Sequence, residues 1–518
     1  VGVELNLKHL SEAGKALFER GKPEMALDFF ALAAELAPGD PVCVAAHASA
    51  LRVVNRPAEA EEVVRRAIAI EPNPQRLTIL ACAIRDRAEV KGLPRPEQHR
   101  IKDEAEAVMR QALELDPLFS DAVGLLGIWL LDKWHRADSP DETLYYALTH
   151  INHAIALAPE NLHFKAMRLA ALQARDGFGM IVEEATELIE KHPGCCEFHM
   201  HRGASNLALG NHRDGWPELA EWAYKLSRFK DFPLEAFPRW WPNQLEAAKA
   251  CPTGTDVLVW NPEGAGDYFM FARYFARLAR EGWRVKPISN NTMDRLLRLC
   301  PGVVETVAPE SKVVDQYLTP IMTLPAAYTL YEEEIPWEGP YLGAHHATID
   351  KWSRLLVKRL NVSQMSNTLV GIAWRGNPQQ GNDQRRSFDV RRFAPLFDVP
   401  GVTLVSIQKG GSADIEGLPI IDLGEAFEQG DWLDTAGVIA NLDLAIAPCT
   451  GVAHLAGAMG KPTWLALSEP ACWRWGRGRD DTPWYPTMRI FRQRERGLWE
   501  GLFERMAGEL AKLSRAAA

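Results

Sequence analysis

The stretch IAPCTGVAHLAGAMGKPTW, residues 446–464, reads as a strand, a tight turn, a short helix of small residues and a second strand. The apolar run LDLAIA (442–447) is short and lacks alternation, the pattern of a parallel strand buried on both faces. A turn must follow it. Thr450, Gly451 and Val452 then open a helix whose first N–H groups have no internal partners. Those groups and the helix dipole favour a phosphate placed there. His454 lies one turn further on, within reach of the same anion. Gly460 and Pro462 stop the helix, and TWLAL returns to the sheet.

Working upstream, TLVGIAW (368–374), GVTLVSIQ, PIIDLG and the helix DWLDTAGVIANL complete an open α/β sheet around that segment. A separate βαβ unit precedes it: strand TDVLVWN (255–261), turn PEGAG, helix DYFMFARYFARLAREG and strand WRVKPIS. A helix from about Leu498 to Leu513 closes the chain, long enough to brace one sheet domain against the other. Between the repeats described next and the first sheet, near residue 235, KDFPLEAFPRWWPNQ reads as a packed connector rich in proline and aromatics.

The first part of the chain is repetitive. AAELAP (33–38), AIAIEP (67–72), ALELDP (112–117) and AIALAP (154–159) share one signature at the end of an apolar helical pattern. Pro38 to Pro72 and Pro159 to Pro193 are each 34 residues, and the intervals between are 45 and 42, as if loops such as KGLPRPEQHR had been inserted. A period of 34 with paired amphipathic helices is the tetratricopeptide signature. Small residues (Ala13, Gly14, Ala26, Ala33) recur where close helix packing needs them. Stacked helix pairs leave a concave surface that binds an extended peptide or another protein, or serve as a packing scaffold.

Composition bounds the rest. The 518 residues suit about three or four domains. With 47% hydrophobic and 24% charged residues the chain is of the soluble globular class, and no apolar run approaches the roughly 20 residues of a membrane span. A net charge of −10 argues against general nucleic-acid binding, whereas local clusters such as Arg385, Arg386, Arg391 and Arg392 suit a small anionic ligand. No signal-peptide pattern is present, and eight scattered cysteines without a C-x-x-C pair fit a reducing cytoplasm. Cys195, Cys196, Glu197, His199 and His201 are metal-type side chains, but their spacing does not match a zinc site.

The chemistry should lie at the carboxyl ends of the strands, where open α/β sheets place their ligands. In the first turn, Glu263, Gly264, Gly266 and Asp267 put glycines and carboxylates there, and Asp267 is either an N-cap or a general base. In the second sheet, RGNPQQGNDQRRSF carries Arg375, Arg385 and Arg386, whose guanidinium forks suit a diphosphate. Gln408 and Lys409 end the next strand, and Asp431, Asp434 and Thr435 open a helix. The sequence contains no G-x-G-x-x-G after a strand, no P-loop and no Asp-x-Asp pair. Basic loops, rather than a metal or a nicotinamide or flavin cofactor, are therefore expected to manage the diphosphate.

At these residues the chain resembles bacterial tetratricopeptide proteins fused to a glycosyltransferase module like that of the lipopolysaccharide heptosyltransferases, of GT-B fold. The carrying motifs are GNHRDGWPELAEW (210–222), NPEGAGDYFMFARY, GIAWRGNP, NDQRRSF, SIQKG, residues 434–464 and WRWGRGRDDTPWYP, in that order. The resemblance implies a helical repeat domain over 1–235, an acceptor-side Rossmann-like domain carrying the base over 236–360, and a donor-side Rossmann-like domain over 361–518. It implies Asp267 as base and Arg386 as the residue stabilising departing phosphate. Glu263, Gly264, Gly266, Trp374, Gln408, Lys409, Asp434, Thr435, Thr450, Gly451, Val452 and His454 make up the implied binding set. The implied activity is metal-independent, inverting transfer of a sugar from a nucleotide donor to Ser or Thr hydroxyls of a protein chosen by the repeats, flagellins among them. A lipid-linked acceptor, or a non-catalytic scaffold with a decayed transferase module, are the rivals. One position departs from the family: where relatives carry Asp before the threonine, this chain has Cys449, which supplies neither that charge nor its two acceptors.

Overall fold

The computed structural model describes residues 2–517 except 91, 137–138, 223–253, 262–263, 310–316, 379 and 381–382. The connector around residue 235 and Glu263 therefore lie outside the described residues. Packing divides the chain into two compact units, residues 1–134 with 139–171 and residues 135–138 with 172–518.

Helices follow one another in pairs through the repeat region: α1 (Gly2–Glu19) and α2 (Pro23–Leu36), α3 (Pro41–Val53) and α4 (Pro57–Ile70), α5 (Pro74–Arg87) and α6 (Arg95–Leu115), α7 (Ser120–Trp134) and α8 (Glu142–Leu157), α9 (Leu162–Ala174) and α10 (Phe178–Lys191), α11 (Cys196–Ala208) and α12 (His212–Trp222). The repeated proline explains where they stop. Residues before proline are pushed out of the helical region, and the residues closing α2, α4, α6, α8 and α10 (Ala37, Glu71, Asp116, Ala158 and His192) have φ between −133° and −151°. The next helix restarts within a few residues, with Asp40 and Asn73 capping N–H groups ahead of a first-turn proline. Glycines set the spacing: a Cβ on Gly124 would overlap the Phe164 ring at 2.2 Å, and one on Gly127 would meet Ile151 at 2.8 Å.

In the second unit two parallel sheets follow the last repeats. The first has the order β2 (Arg284–Pro287), β1 (Asp256–Trp260), β3 (Tyr317–Pro320). The second has β4 (Thr368–Ile372), β5 (Val402–Ser406), β6 (Ile420–Ile421), β7 (Leu444–Pro448), β8 (Thr463–Leu467) and β9 (Met488–Arg492), in the order 6-5-4-7-8-9. Renumbered from one, that order is 3-2-1-4-5-6, the doubly wound order whose direction of growth reverses between β4 and β7. The helices used below are α13 (Ala265–Phe271), α14 (His346–Arg359), α15 (Trp432–Ala440), α16 (Gly451–Ala458) and α17 (Glu500–Ala517). A helical repeat region followed by two such sheets is the arrangement expected of tetratricopeptide repeats joined to a GT-B module.

Three local readings differ from the structure. The helix expected over 267–282 is broken by a 3-10 turn at Ala272–Tyr274, where the buried Arg273 Nε turns back to the Met270 carbonyl at 2.7 Å. Helix α14, assigned by sequence to the first sheet domain, packs on α15 of the second, with Gly437 set against Thr348 and Trp352. The closing helix α17 does not brace the two sheets. Trp499, just ahead of α17, and its residues Leu502, Phe503, Met506 and Leu510 cover the second sheet's own face, against Val370, Ile372, Leu444 and Ile446.

The alternate residues of β7, Ala445 and Ala447, point into a different core. That core is continuous from Leu207, Trp216 and Leu219 of the last repeat pair, through Val257, Val259 and Phe271, to the second sheet. Trp216 is fully buried, edge-on to Phe271 (5.7 Å), Trp473 (5.1 Å) and Trp484 (6.0 Å). Close packing of α11 on α12, with Gly203 and Gly215 against each other's backbones, fixes where that indole enters. Truncation by Trp216→Ala should cost about 3–5 kcal/mol, as for other buried aromatics. A denaturant titration followed by tryptophan fluorescence should show the transition of the sheet-containing unit shifted to lower denaturant.

Candidate functional site

The reversal of strand order between β4 and β7 leaves a crevice at their carboxyl ends, and the loops after these two strands meet there. From the β4 loop, Arg386 donates to the Cys449 carbonyl at 2.7 Å and to Gln380 Oε1. Its guanidinium is also 3.5 Å from the buried Asp383 carboxylate, which accepts from Gly376 N–H (3.1 Å) and Ser387 Oγ (2.8 Å). Glycine at 376 leaves room for both side chains. A Cβ would lie 2.5 Å from Arg386 Nη2 and 2.6 Å from Asp383 Oδ1.

Cys449 leads directly into α16, whose N-cap is Thr450. The Thr450 hydroxyl turns back to the Pro448 carbonyl (3.3 Å) and makes no capping bond, so among the described residues no N-cap side chain takes the first amides of the helix, Gly451 and Val452 among them. His454, one turn on, is buried and bonded through Nδ1 to the Tyr485 hydroxyl (2.9 Å), its ring stacked 5.1 Å from Trp475. Burial, with Arg474, Arg273 and Arg386 nearby, holds its pKa well below the usual histidine value. The ring is thus uncharged at neutral pH.

Helix α13 of the first domain runs into the same place. Gly264 is its N-cap, and the Asp267 N–H bonds the Gly264 carbonyl at 3.1 Å. A Cβ on Gly266 would lie 2.8 Å from His454 Cδ2, and one on Gly451 would lie 2.9 Å from the Trp432 indole and 3.6 Å from Ala265. Both glycines therefore permit the starts of α13 and α16 to meet. Asp267 is not an N-cap: its carboxylate forms an ion pair with Arg474, both side chains being 16% exposed. Burial works against the Arg474 charge, but Asp267 and the neighbouring Cys472 more than offset it and raise the guanidinium pKa. The guanidinium also lies 4.3 Å over the Trp473 ring.

At Cys449, where the resemblance implies a carboxylate, the side chain is a neutral acceptor. Its sulfur takes the Trp475 Nε1–H at 3.0 Å, and burial pushes the thiol up to about 11. The ring of cations around it is thus balanced from Asp267 and Asp383 rather than from position 449.

Several residues of the implied binding set are committed elsewhere. Gln408 Oε1 accepts from the Trp374 and Arg375 amides (3.1 and 3.0 Å), tying the β4 and β5 loops together. Lys409 bonds the Phe427 and Gly430 carbonyls and lies 3.9 Å over the Phe427 ring, with burial lowering its pKa. The Trp374 side chain belongs to the core under α17 and donates to Asp414 at 3.0 Å. Burial alone would raise the pKa of Asp434, yet Lys351 (2.6 Å) and Trp352 Nε1 (3.0 Å) hold it below the usual range. Asp431 caps α15, and Thr435 bonds the Asp431 carbonyl. For all of these, the polar groups are bonded to backbone or side-chain partners within the protein. Trp432, which follows the cap, reaches the crevice instead, 4.9 Å from Phe269. The cysteine–histidine cluster is likewise structural: His199 bonds Glu218 (2.7 Å) and the Pro193 carbonyl (3.0 Å). Among the described residues no group of three or more His, Cys, Asp or Glu side chains could hold a metal ion.

Sequence reasoning missed Arg474. The signal was present in WRWGRG, a cation set between two indoles, but nothing local says that it folds back on a carboxylate 207 positions earlier.

No protein-family model matches the chain. It is 23% identical over 540 aligned residues to Protein FlbA of Caulobacter vibrioides, spanning 96% of this chain and 77% of that protein. Among solved structures it is similar to a glycosyl transferase of family 9 from Veillonella parvula (9% identity, TM-score 0.39, 52% of this chain and 100% of that one). It is also similar to E. coli ADP-heptose lipopolysaccharide heptosyltransferase II (14%, 0.38, 51% and 99%) and to the tetratricopeptide protein TTC0263 of Thermus thermophilus (15%, 0.35, 39% and 99%). No helix among the described residues is long and apolar enough to cross a membrane.

Two outcomes follow from the buried groups. Cys449→Ala removes the acceptor for a buried indole N–H and should cost about 1–3 kcal/mol, while Cys449→Ser, which keeps an acceptor, should cost less; the two unfolding midpoints compared directly decide this. His454 is neutral in the fold and titrates near 6.5 when unfolded, so below that pH the unfolded state takes up a proton that the folded state does not. Stability from this residue is complete above about pH 6.5 and falls as the pH drops toward the depressed folded value. A pH series of unfolding midpoints should have a shallower acid limb in His454→Gln.

Proposed function

We propose that this chain is a metal-independent, inverting glycosyltransferase that moves a sugar from a nucleotide donor to a Ser or Thr hydroxyl of a protein. One observation carries the reading: the Asp267 carboxylate and the uncapped start of α16, flanked by Arg386, meet at the carboxyl ends of two parallel sheets. In this reading Asp267 takes the proton of the acceptor hydroxyl as that oxygen attacks the anomeric carbon. The bond from that carbon to phosphate breaks on the opposite side. The departing phosphate keeps the electron pair, its charge met by the Arg386 guanidinium and the Gly451 and Val452 amides. A single displacement inverts the anomeric configuration. Arg474 keeps the carboxylate oriented until the hydroxyl arrives.

Metal independence rests on the absence of an Asp-x-Asp pair from the sequence and on the basic groups at the crevice. The protein acceptor rests on the helical repeats, and surface-appendage proteins such as flagellins are the class the resemblance implies. Cys449 favours a second reading, a scaffold that no longer catalyses; retention of Asp267, Arg386 and their buried partners favours an enzyme.

Intact-mass measurement of candidate acceptor proteins, produced with and without this chain, should show a sugar-sized increment only with it. Asp267→Asn should lower transfer by about 10²- to 10⁴-fold with nucleotide binding retained by calorimetry. Undiminished transfer by that variant would remove Asp267 from the mechanism, and no heat with any nucleotide sugar would leave only the scaffold.

A further inference from the structure

Beside the Asp267–Arg474 pair lies a cavity of about 250 Å³, walled by Leu207 and Gly210 at the end of α11 and by Trp473, Arg474, Pro483 and Trp484. Resting on the transferase reading above, we propose that this cavity is the acceptor subsite. It takes an uncharged, apolar side chain next to the glycosylated Ser or Thr in an extended segment of the acceptor protein.

Location supplies the first argument. Arg474 belongs to the cavity wall and to the pair with the base, so whatever occupies the cavity sits one side chain from Asp267. The opposite wall is the last repeat pair, which the continuous core at Trp216 holds fixed against the sheets. In this proposal a segment lying along that pair would place a neighbouring hydroxyl beside the Asp267–Arg474 pair.

Charge supplies the second. Arg474 is matched by Asp267, Arg477 bonds Asp176 at 2.8 Å, and Arg479 bonds Glu332 at 2.9 Å and Asp481 at 2.7 Å. His212, also on the wall, is held neutral, because burial lowers its pKa. With each of these guanidiniums already paired, an ionised occupant would lose its hydration and gain no open counter-charge. Indole and proline faces favour flat apolar contact instead. Size agrees, since sites that enclose a drug-sized ligand run from roughly 300 to 1,000 Å³. This one holds a residue or two rather than a nucleotide sugar.

The test uses the full chain and fluorescent short peptides with a central Ser flanked by Leu, Ala, Glu or Lys, read by anisotropy. Leu-flanked peptides should bind about tenfold or more tightly than Glu- or Lys-flanked ones. Leu209 lines the same cavity and is 46% exposed, so Leu209→Trp adds bulk at its edge without entering the core. That variant should lose the preference while its calorimetric titrations with UDP, CMP, GDP and ADP match the parent's. Binding without flank preference, a preference that survives Leu209→Trp, or displacement of the Leu-flanked peptide by maltoheptaose would each overturn the assignment. If the parent binds none of the four nucleotides, the transferase reading fails, and the acceptor role fails with it.

Discussion

The contact between Gly266 and the edge of the His454 ring is the constraint on which the site depends. It brings the first turns of two helices, α13 and α16, from two different sheets, to van der Waals distance. A helix start is the one part of a helix with open N–H groups, and placing two such starts together concentrates positive potential in a small volume. The carboxylates of Asp267 and Asp383 pair with guanidiniums at this place. The neutrality of His454 belongs to the same account. A further cation among Arg273, Arg386 and Arg474 would be expensive, and burial keeps the imidazole uncharged.

The aromatic residues near the crevice serve the same arrangement. Tyr485 holds His454 by its hydroxyl and fills the space beside Gly457, and Trp475 stacks on the ring while donating to Cys449. Arg273 is enclosed by Tyr341, Trp484 and Tyr485, bonding the Tyr341 hydroxyl at 2.9 Å. Residues from both sheet domains thus share one set of buried polar contacts, each bond fixing the ring that makes the next.

Much of this was legible from the residues alone. Parallel strands buried on both faces announce themselves as short apolar runs, and the 34-residue spacing of Pro38, Pro72, Pro159 and Pro193 marks helix ends because proline restricts the residue before it. The structure gathers Asp267, Arg386, Thr450 and Gly451, all read at strand termini, around one crevice. Gln408, Lys409, Asp434 and Thr435, also in the expected binding set, are bonded within the protein. Being at the carboxyl end of a strand says where a residue sits, but not whether a carbonyl or amide closer than any ligand will take its side chain. Lys409 shows the point, since two loop carbonyls and the Phe427 ring hold its ammonium. Arg474 was hidden for the opposite reason, its partner being distant in the chain.

The burial of Trp216 bears on how such a chain could arise or be taken apart. A repeat array and a transferase joined by a mere tether could be exchanged between genes at the tether. Here the last helix pair contributes to the core of the sheets, so the natural unit of inheritance runs from about α10 onward, with the earlier repeats as the exchangeable part. Variation by adding, losing or altering repeats is then expected ahead of α10, while the pair that bears Trp216 stays with the sheets.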